Sequence, residues 1–304
     1  MKIKNLDKFK LPEGVKVKYV GGLLYRFISK LERKHIKNLK IDDFKLNSKK
    51  RDETITVSLT SFPARINVVG YAIKCLFNQT MLPDRIVLWL AKEQFENVEL
   101  SPLLIKLQQK GLEIKYCDDL RSHKKYYYAL QEQKENELII TYDDDLIYPE
   151  NSIEKLYEKH TKYPQCIVCN RAQESKFENG KFLNYSKWKL YSNEGVKTPS
   201  TKLFPSTGGG ALYPYNTVDK EIFNKDVIVN SAFSADDIFV RFMSAKKGTK
   251  IIKTRKAHKT FTTLQGSQEE SLQVQNCLEG GNDIIINNLS ALYPEAVDFI
   301  NSKE

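Results

Sequence analysis

The sequence lacks any apolar run near the roughly 20 residues that a membrane-spanning helix needs, and its N-terminus has no uninterrupted apolar stretch of the signal-peptide type. It has only five cysteines, an odd and scattered set without the framework of small disulfide-rich secreted domains. These absences predict a protein of a reducing compartment. We expect it to be cytoplasmic, and either soluble or peripheral at the inner face of the cell membrane.

Several motif classes are missing as well. The chain shows no Ser/His/Asp or Cys/His arrangement typical of hydrolases, and no internal repeat. Cys166 and Cys169 form a CxxC, but no second CxxC completes a zinc site. The apolar residues between them indicate a buried strand, so we interpret both thiols as core residues. The glycines at 208–210 are not followed by Lys-Ser/Thr, which excludes a P-loop.

The positive charge of the chain is confined to its N-terminal segment. The formal net charge is +10; residues 1–50 hold 15 basic and 5 acidic residues, and the remaining 33 basic and 33 acidic residues cancel. Apolar side chains recur in this segment at helical spacing, between basic ones: Tyr19, Leu23, Leu24, Phe27, Ile28 and Leu31. A basic amphipathic helix of this kind either lies on an anionic membrane surface or packs on the protein core. The sequence leaves both alternatives open.

Strand-like and helix-like segments alternate from residue 54 onward. Strand patterns occur at 55–59, 85–90, 112–116 and 138–142, with helical spacing of apolar residues between them. These βαβ units predict an α/β fold with a mainly parallel, Rossmann-like sheet and helices on both faces. Beyond residue 169 the alternation weakens, and we interpret the polar and aromatic residues 171–199 as an insertion or a substrate-side segment.

An acidic triplet follows directly on the last of these strands. Ligands of open parallel sheets bind at the carboxyl ends of strands, which is where Asp143, Asp144 and Asp145 stand. Three adjacent carboxylates need a countercharge, and Mg²⁺ or Mn²⁺ supplies one through hard oxygen ligands while keeping positions open for diphosphate oxygens. The alternative is a solvated acidic turn or a helix cap.

The segment IITYDDDLIYPE resembles the GT-A glycosyltransferases, and in particular family 2-like bacterial enzymes of polysaccharide synthesis. The resemblance covers residues 54–263, and it is specific at the aspartates. It implies a metal-dependent, inverting transfer of a sugar from a nucleotide-sugar, with UDP-sugars favoured, to a saccharide or lipid-linked acceptor. Capsule and lipopolysaccharide synthesis are examples of such surface glycan pathways.

The same resemblance divides the chain into a basic arm and a GT-A catalytic domain. The arm comprises residues 1–52, and the catalytic domain residues 53–304. Within the latter we expect a nucleotide-binding half (53–150), an acceptor half (151–265) and a C-terminal helical tail (266–304).

The resemblance also assigns donor-binding residues. The loop after the first strand would line the nucleoside and phosphate, and the loop after the third would face the base and the diphosphate. A glycine-rich turn would lie beneath the sugars. The matching residues are Thr60, Ser61, Arg65, Asp118, Asp119, Lys124, Asp143, Asp144, Gly208 and Gly209. A capped helix start and a structural glycine turn are the alternatives for the first loop and for the glycines.

The general base and a further metal ligand come from the C-terminal half. An inverting transfer needs one carboxylate that deprotonates the acceptor hydroxyl, and the resemblance points to Asp236 or Asp237, with Asp236 preferred because helix starts also recruit Asp as a cap. The metal ligands would be Asp143, Asp145 and His258, since neutral imidazole is a competent ligand. A surface role is the alternative for His258.

Two other functions use some of the same ingredients. A sugar nucleotidyltransferase also binds Mg²⁺ on an α/β sheet, but it would usually have a glycine-rich loop after its first strand, and residues 60–66 contain no glycine. A nucleic-acid-binding protein with a basic arm would conflict with the charge-neutral body and the acidic triplet. We therefore expect no nucleic-acid partner.

Overall fold

A computed structural model describes residues 17–190, 192–255, 261–264 and 280–302. The strands in these ranges are β1 (Thr54–Thr60), β2 (Arg85–Ala91), β3 (Leu112–Cys117), β4 (Glu137–Tyr142), β5 (Leu146–Ile147), β6 (Ile167–Cys169), β7 (Ala172–Glu174), β8 (Phe177–Glu178), β9 (Lys181–Phe182), β10 (Leu203–Pro205), β11 (Gly209–Tyr213), β12 (Ile251–Lys253) and β13 (Thr262–Thr263).

The helices in the same ranges alternate with these strands. They are α1 (Val17–Asn38), α2 (Val69–Phe77), α3 (Lys92–Phe95), α4 (Pro102–Gln108), α5 (Lys124–Glu132), α6 (Ser152–His160), α7 (Lys225–Val227), α8 (Asp236–Lys246), α9 (Gly281–Leu292) and α10 (Pro294–Asn301). None of them combines the length and the apolarity that crossing a bilayer requires.

Seven strands form the central sheet, in the order β12-β6-β11-β4-β1-β2-β3. Strand β11 runs antiparallel to both of its neighbours, β4 and β6, and all other neighbouring pairs are parallel. The carboxyl ends of β1, β3 and β4 therefore lie at one edge of the sheet. The predicted α/β fold with a mainly parallel sheet is confirmed.

Helices cover both faces of this sheet, because successive side chains of a strand point to opposite faces. In β4, Leu138 and Ile140 join the core under α2, α4 and α6, whereas Ile139 joins the core under α5, α8, α9 and α10. Cys166 and Cys169 are buried free thiols, one in each core, which agrees with their interpretation as core residues.

The ends of α4 show how local sequence sets an element. Ser101 caps the helix by accepting a hydrogen bond from Leu104 N, and Pro102 occupies the first helical position, where a missing N–H costs nothing. Gly111 ends the segment with a φ of +103°, a conformation that glycine adopts without strain.

The aromatic residues of segment 171–199 belong largely to the core under α5, α8, α9 and α10. Trp188 is buried, and its ring centroid lies 5.6 Å from that of Phe182 and 4.5 Å from that of Phe204. Packing therefore accounts for the aromatic content that we interpreted as substrate-side.

The N-terminal helix α1 packs on the body through one face. Ser29 and Ile36 are buried, the Ser29 and Thr262 hydroxyls lie 3.0 Å apart, and Arg33 Nε donates to Thr263 O at 3.0 Å. The opposite face is solvent-exposed and carries apolar and basic side chains: Arg26, Phe27, Lys30, Leu31 and Lys34. The packing alternative is thus observed for residues 25–38, and membrane contact stays a prediction.

Candidate functional site

Four chain segments meet at the carboxyl edge of the sheet. Asp143–145 follow β4, Ser61 follows β1, Lys125 lies in the first turn of α5 after β3, and the glycine turn 208–210 leads into the antiparallel strand β11. This edge is where the sequence predicted the functional residues.

Asp144 is the most enclosed member of the acidic triplet. Its Oδ2 accepts a hydrogen bond from Ser61 Oγ at 2.6 Å, and its Oδ1 accepts one from Arg65 Nη1 at 2.7 Å. The same guanidinium nitrogen lies 3.2 Å from Asp145 Oδ2. Burial raises the pKa of Asp144, and Arg65 and Ser61 only partly offset this effect. Arg65 thus supplies countercharge to two of the three carboxylates, whereas we had predicted a phosphate contact.

Lys125 connects the triplet to the start of α8. Its Nζ lies 2.7 Å from Asp143 Oδ1 and 3.0 Å from Asp236 Oδ2, and the lysine side chain is only 4% exposed. Burial opposes its charge, but the two carboxylates more than compensate, so the pKa of Lys125 is raised. Two acidic motifs about ninety residues apart in sequence therefore share one buried cation.

The two aspartates at the start of α8 differ in environment. Asp236 accepts a hydrogen bond from Thr207 Oγ1 at 2.5 Å in addition to its ion pair with Lys125. Burial favours its neutral form, but Lys125 and the other groups around the carboxylate together outweigh burial, so the pKa of Asp236 is lowered. Asp237 accepts from Ile238 N at 2.9 Å, and burial together with the neighbouring Asp236 charge raises its pKa. Asp237 is consequently the more basic of the two.

Each glycine of the turn makes room for a neighbouring side chain. A Cβ on Gly208 would lie 1.6 Å from Asp143 Oδ2, and one on Gly209 would lie 3.1 Å from Arg171 Cδ. Gly210 has a φ of +90°, which a side chain would strain. The close approach that the sequence suggested for these glycines involves protein side chains of the site itself.

Tyr148 fixes the backbone of this turn against the triplet. Its hydroxyl accepts a hydrogen bond from Asp143 N at 2.9 Å and donates one to Gly208 O at 2.7 Å. The residue is buried, so these bonds are shielded from water.

His123 holds the start of α5 to the five-residue π-helix Ile228–Ala232 that precedes α8. Its Nε2 lies 2.9 Å from Ala232 O, and its Nδ1 lies 2.6 Å from the Tyr126 hydroxyl. Because a carbonyl can only accept, Nε2 carries the proton and Nδ1 accepts from Tyr126. Burial lowers the pKa of His123 to about 4, so the ring is neutral at physiological pH.

The remaining predicted donor residues form contacts of their own. Thr60 Oγ1 donates to Trp89 O at 2.8 Å, and Asp118 pairs with Lys225 at 2.7 Å. Lys124 is buried and paired with Asp119. The geometry therefore places Thr60 at the end of β1, against β2, and the other three residues after β3. Lys124 contacts Asp119 rather than the acidic triplet.

Sequence reasoning missed Lys125 and Arg171. Two lysines begin α5, and the predicted one was Lys124; the helix register instead directs Lys125 to the triplet. The signal was present, since adjacent lysines at a helix N-terminus oppose the helix dipole and need anionic partners. His258 lies outside the described residues.

No profile of a known protein family matches the chain, and no curated protein matches it at a significant level. Among solved structures, it is similar to residues 1–349 of S. aureus TarS. The alignment has 14% sequence identity and a TM-score of 0.44, and it covers 68% of this chain and 59% of the TarS chain. The chain thus matches less than two thirds of that structure, and similarity at this level assigns no activity.

The triplet has donor atoms that suit a hard divalent cation. Among the described residues no group of three or more His, Cys, Asp or Glu side chains is arranged to hold a metal ion. Mg²⁺, however, commonly uses only one or two carboxylates together with waters and substrate phosphates. The Asp143 side chain is 39% exposed. Ser61 bonds to Asp144 and not to Asp143 or Asp145. Asp143 and Asp145 have the oxygen donors that such a cation takes, and each also lies beside a protein cation, Lys125 or Arg65.

Proposed function

We propose that this chain is a glycosyltransferase that moves a sugar from a nucleotide-sugar, with UDP-sugars favoured, to a saccharide or lipid-linked acceptor. The observation that carries the proposal is the convergence of Asp143 from the triplet and Asp236 from α8 on Lys125. A metal-dependent sugar transfer uses carboxylates that hold the metal-diphosphate and a separate base close by, and the presence of both acidic motifs at this edge of the sheet supports the proposal.

Asp143 and Asp145 would hold Mn²⁺ or Mg²⁺, which would neutralise charge on the departing nucleoside diphosphate. Asp144 serves a different purpose in the proposal, because Ser61 and Arg65 already occupy its two oxygens. It keeps Arg65 beside the diphosphate position. His258 remains a predicted further ligand.

Asp237 is the general base in this proposal. Its raised pKa suits proton abstraction from an acceptor hydroxyl, whereas the carboxylate of Asp236 is held by Lys125 and Thr207. Asp236 is then a positioning residue that anchors Lys125. This ordering reverses our preference from the sequence. An inverting outcome follows if one base acts in line with the departing diphosphate.

The nucleoside is proposed to bind across the ends of β1 and β3. Thr60 and Ser61 lie at the first strand, and Asp118, Asp119 and Lys124 lie at the third. A uracil ring presents one N–H donor, for which the exposed carboxylate of Asp118 is a suitable acceptor.

The acceptor is proposed to reach the site from a membrane-associated glycan pathway, such as capsule or lipopolysaccharide synthesis. Support comes from α1, whose outer face exposes Phe27 and Leu31 among basic residues while its inner face contacts β13. Strand β13 pairs with β5, directly after the triplet, so a membrane docked on α1 would lie near the site.

The test is a calorimetric titration of UDP and GDP into the purified protein with Mn²⁺, then with EDTA. We expect micromolar binding of one nucleotide that is lost in EDTA and in an Asp143→Asn/Asp145→Asn variant. Asp298→Asn, which neutralises an exposed carboxylate on α10, is the matched control and should bind normally. Absence of binding by either nucleotide to the wild type would refute the proposal in its UDP/GDP form.

A panel of nucleotide-sugars would then be screened for release of the free nucleotide. Asp237→Asn should lower turnover roughly 10²- to 10⁴-fold and leave nucleotide affinity unchanged, because a general base acts only in the chemical step. Equal activity of this variant and the wild type would remove Asp237 from that role.

A further inference from the structure

Arg171 stands at the same edge of the sheet as the triplet, two residues after β6 ends. Its side chain passes over Gly209, whose missing Cβ leaves it room, and its guanidinium carbon lies 5.7 Å from the centre of the Phe261 ring. Gly208, the preceding residue, leaves room for the Asp143 carboxylate. Arg171 and Asp143 therefore flank consecutive residues of one turn.

The guanidinium of Arg171 makes no hydrogen bond or ion pair with any other residue that the structure describes, and its Nε is buried without an acceptor. This differs from the other cations of the site, since Arg65 pairs with Asp144 and Lys125 pairs with Asp143. A buried donor without a partner costs free energy, and such groups in native proteins usually have a reason.

We infer that Arg171 binds a phosphate group of a substrate, which makes it a specificity-determining residue of the proposed glycosyltransferase. The planar guanidinium presents paired N–H donors that match two oxygens of a phosphate or a carboxylate, and phosphate is the anion that a nucleotide-sugar substrate carries. The ring of Phe261 contacts one face of the Arg171 guanidinium, and the N–H groups at the edge of the guanidinium are left for the ligand.

Two sources can supply this phosphate: the diphosphate of the donor, or a phosphate carried by the acceptor. Both would enter the space in front of the glycine turn, where Asp143 lies. The inference rests on the proposed function for the identity of the substrate, but the anion site itself can be measured without a sugar.

The experiment compares the wild type with Arg171→Gln and Arg171→Lys by calorimetry. The probes are UDP, GDP, uridine, inorganic pyrophosphate and inorganic phosphate. Inorganic phosphate is also titrated into protein that is saturated with whichever of the two nucleotides binds. Losing a charge-assisted contact weakens binding roughly tenfold to a hundredfold, and we expect this for Arg171→Gln. Arg171→Lys keeps the positive charge but lacks the paired N–H donors, so its affinity should lie between those of the wild type and Arg171→Gln. Lys106→Gln removes one exposed charge on α4 as the control.

The pattern of losses identifies the source. Weaker UDP or GDP binding with unchanged uridine binding assigns Arg171 to the donor diphosphate. Unchanged nucleotide binding, with phosphate binding to the nucleotide-saturated protein lost, assigns it to an acceptor phosphate.

The inference is overturned if Arg171→Gln, folded as judged by circular dichroism, binds every phosphate compound as the wild type does. It is also overturned if no phosphate compound binds the wild type. Wild-type binding of pyrophosphate or phosphate without either nucleotide would instead count against the proposed function in its UDP/GDP form, while Arg171→Gln would still test the anion site.

Discussion

Lys125→Met removes the cation that two acidic motifs share while keeping most of the buried aliphatic stem. The resulting loss in the free energy of unfolding divides between the ion pairs with Asp143 and with Asp236. Asp143 is 39% exposed and regains water when the lysine is removed, so its share is about 0–1 kcal/mol, as for surface pairs. Asp236 is 12% exposed and keeps the hydrogen bond from Thr207. Breaking a buried pair costs about 3–5 kcal/mol, and we expect the free energy of unfolding to fall by that amount.

The assay is urea unfolding at pH 7, followed by circular dichroism, for the wild type, Lys125→Met, Asp236→Asn and the double variant. Because the two residues are in contact, the double variant should be more stable than the sum of the single losses predicts, by about 1–3 kcal/mol. Additive losses, or a loss below about 1 kcal/mol for Lys125→Met, would refute the view that Lys125 joins the two motifs energetically.

Three further outcomes follow from the same geometry. Gly208→Ala would displace the Asp143 carboxylate, and we expect metal-dependent nucleotide binding to weaken at least about tenfold, measured by calorimetry. Buried His123 has a pKa of about 4, so as the pH falls from about 6.5 to 4 this histidine is protonated in the unfolded chain before it is protonated in the folded one. The free energy of unfolding of the wild type should therefore fall by about 2–4 kcal/mol relative to that of His123→Gln across this window, measured by urea titration. Vesicles containing anionic lipid should bind the wild type, and Phe27→Ser/Leu31→Ser should weaken co-sedimentation about tenfold or more.

Each of these outcomes has its own control. Gly248→Ala introduces a methyl group with no atom within 4 Å at a positive φ, so it tests backbone strain without touching the site. Parallel pH profiles of the wild type and His123→Gln would contradict the assignment of a neutral buried imidazole. Ile284→Ser removes an exposed apolar side chain on α9 and should leave vesicle binding unchanged. Equal binding to neutral and anionic vesicles would contradict the basic docking face.

The sequence was sufficient for the sheet and for the position of the acidic triplet. Long apolar strands followed by polar residues are a local pattern, and the run at 138–142 matched β4 closely because burial on both faces leaves little choice of residue. The placement of Cys166 and Cys169 in the core followed from the same reasoning.

The partners of the triplet could not be predicted in the same way. Whether Lys124 or Lys125 faces the site depends on a rotation of about 100° per residue about the axis of α5, and the residues around the helix start leave that register open. Arg171 is set by how β6 and the turn before β11 come together, which is a long-range contact. Composition could not separate the roles of the aromatic residues of 171–199, because packed and ligand-binding aromatics look alike in a sequence.

The attachment of α1 to β13 bears on where the chain can be shortened. We placed a boundary between residues 52 and 53, but Ser29 and Arg33 bond to Thr262 and Thr263, and the next residue, Leu264, donates its N–H to Asp145 O at 2.7 Å. A protein that begins at residue 53 would lose the contacts of α1 with this short strand, and with them the support for the hydrogen bond that Leu264 N donates to the backbone carbonyl of Asp145. The basic segment thus stabilises the site, and we expect its removal to weaken ligand binding first.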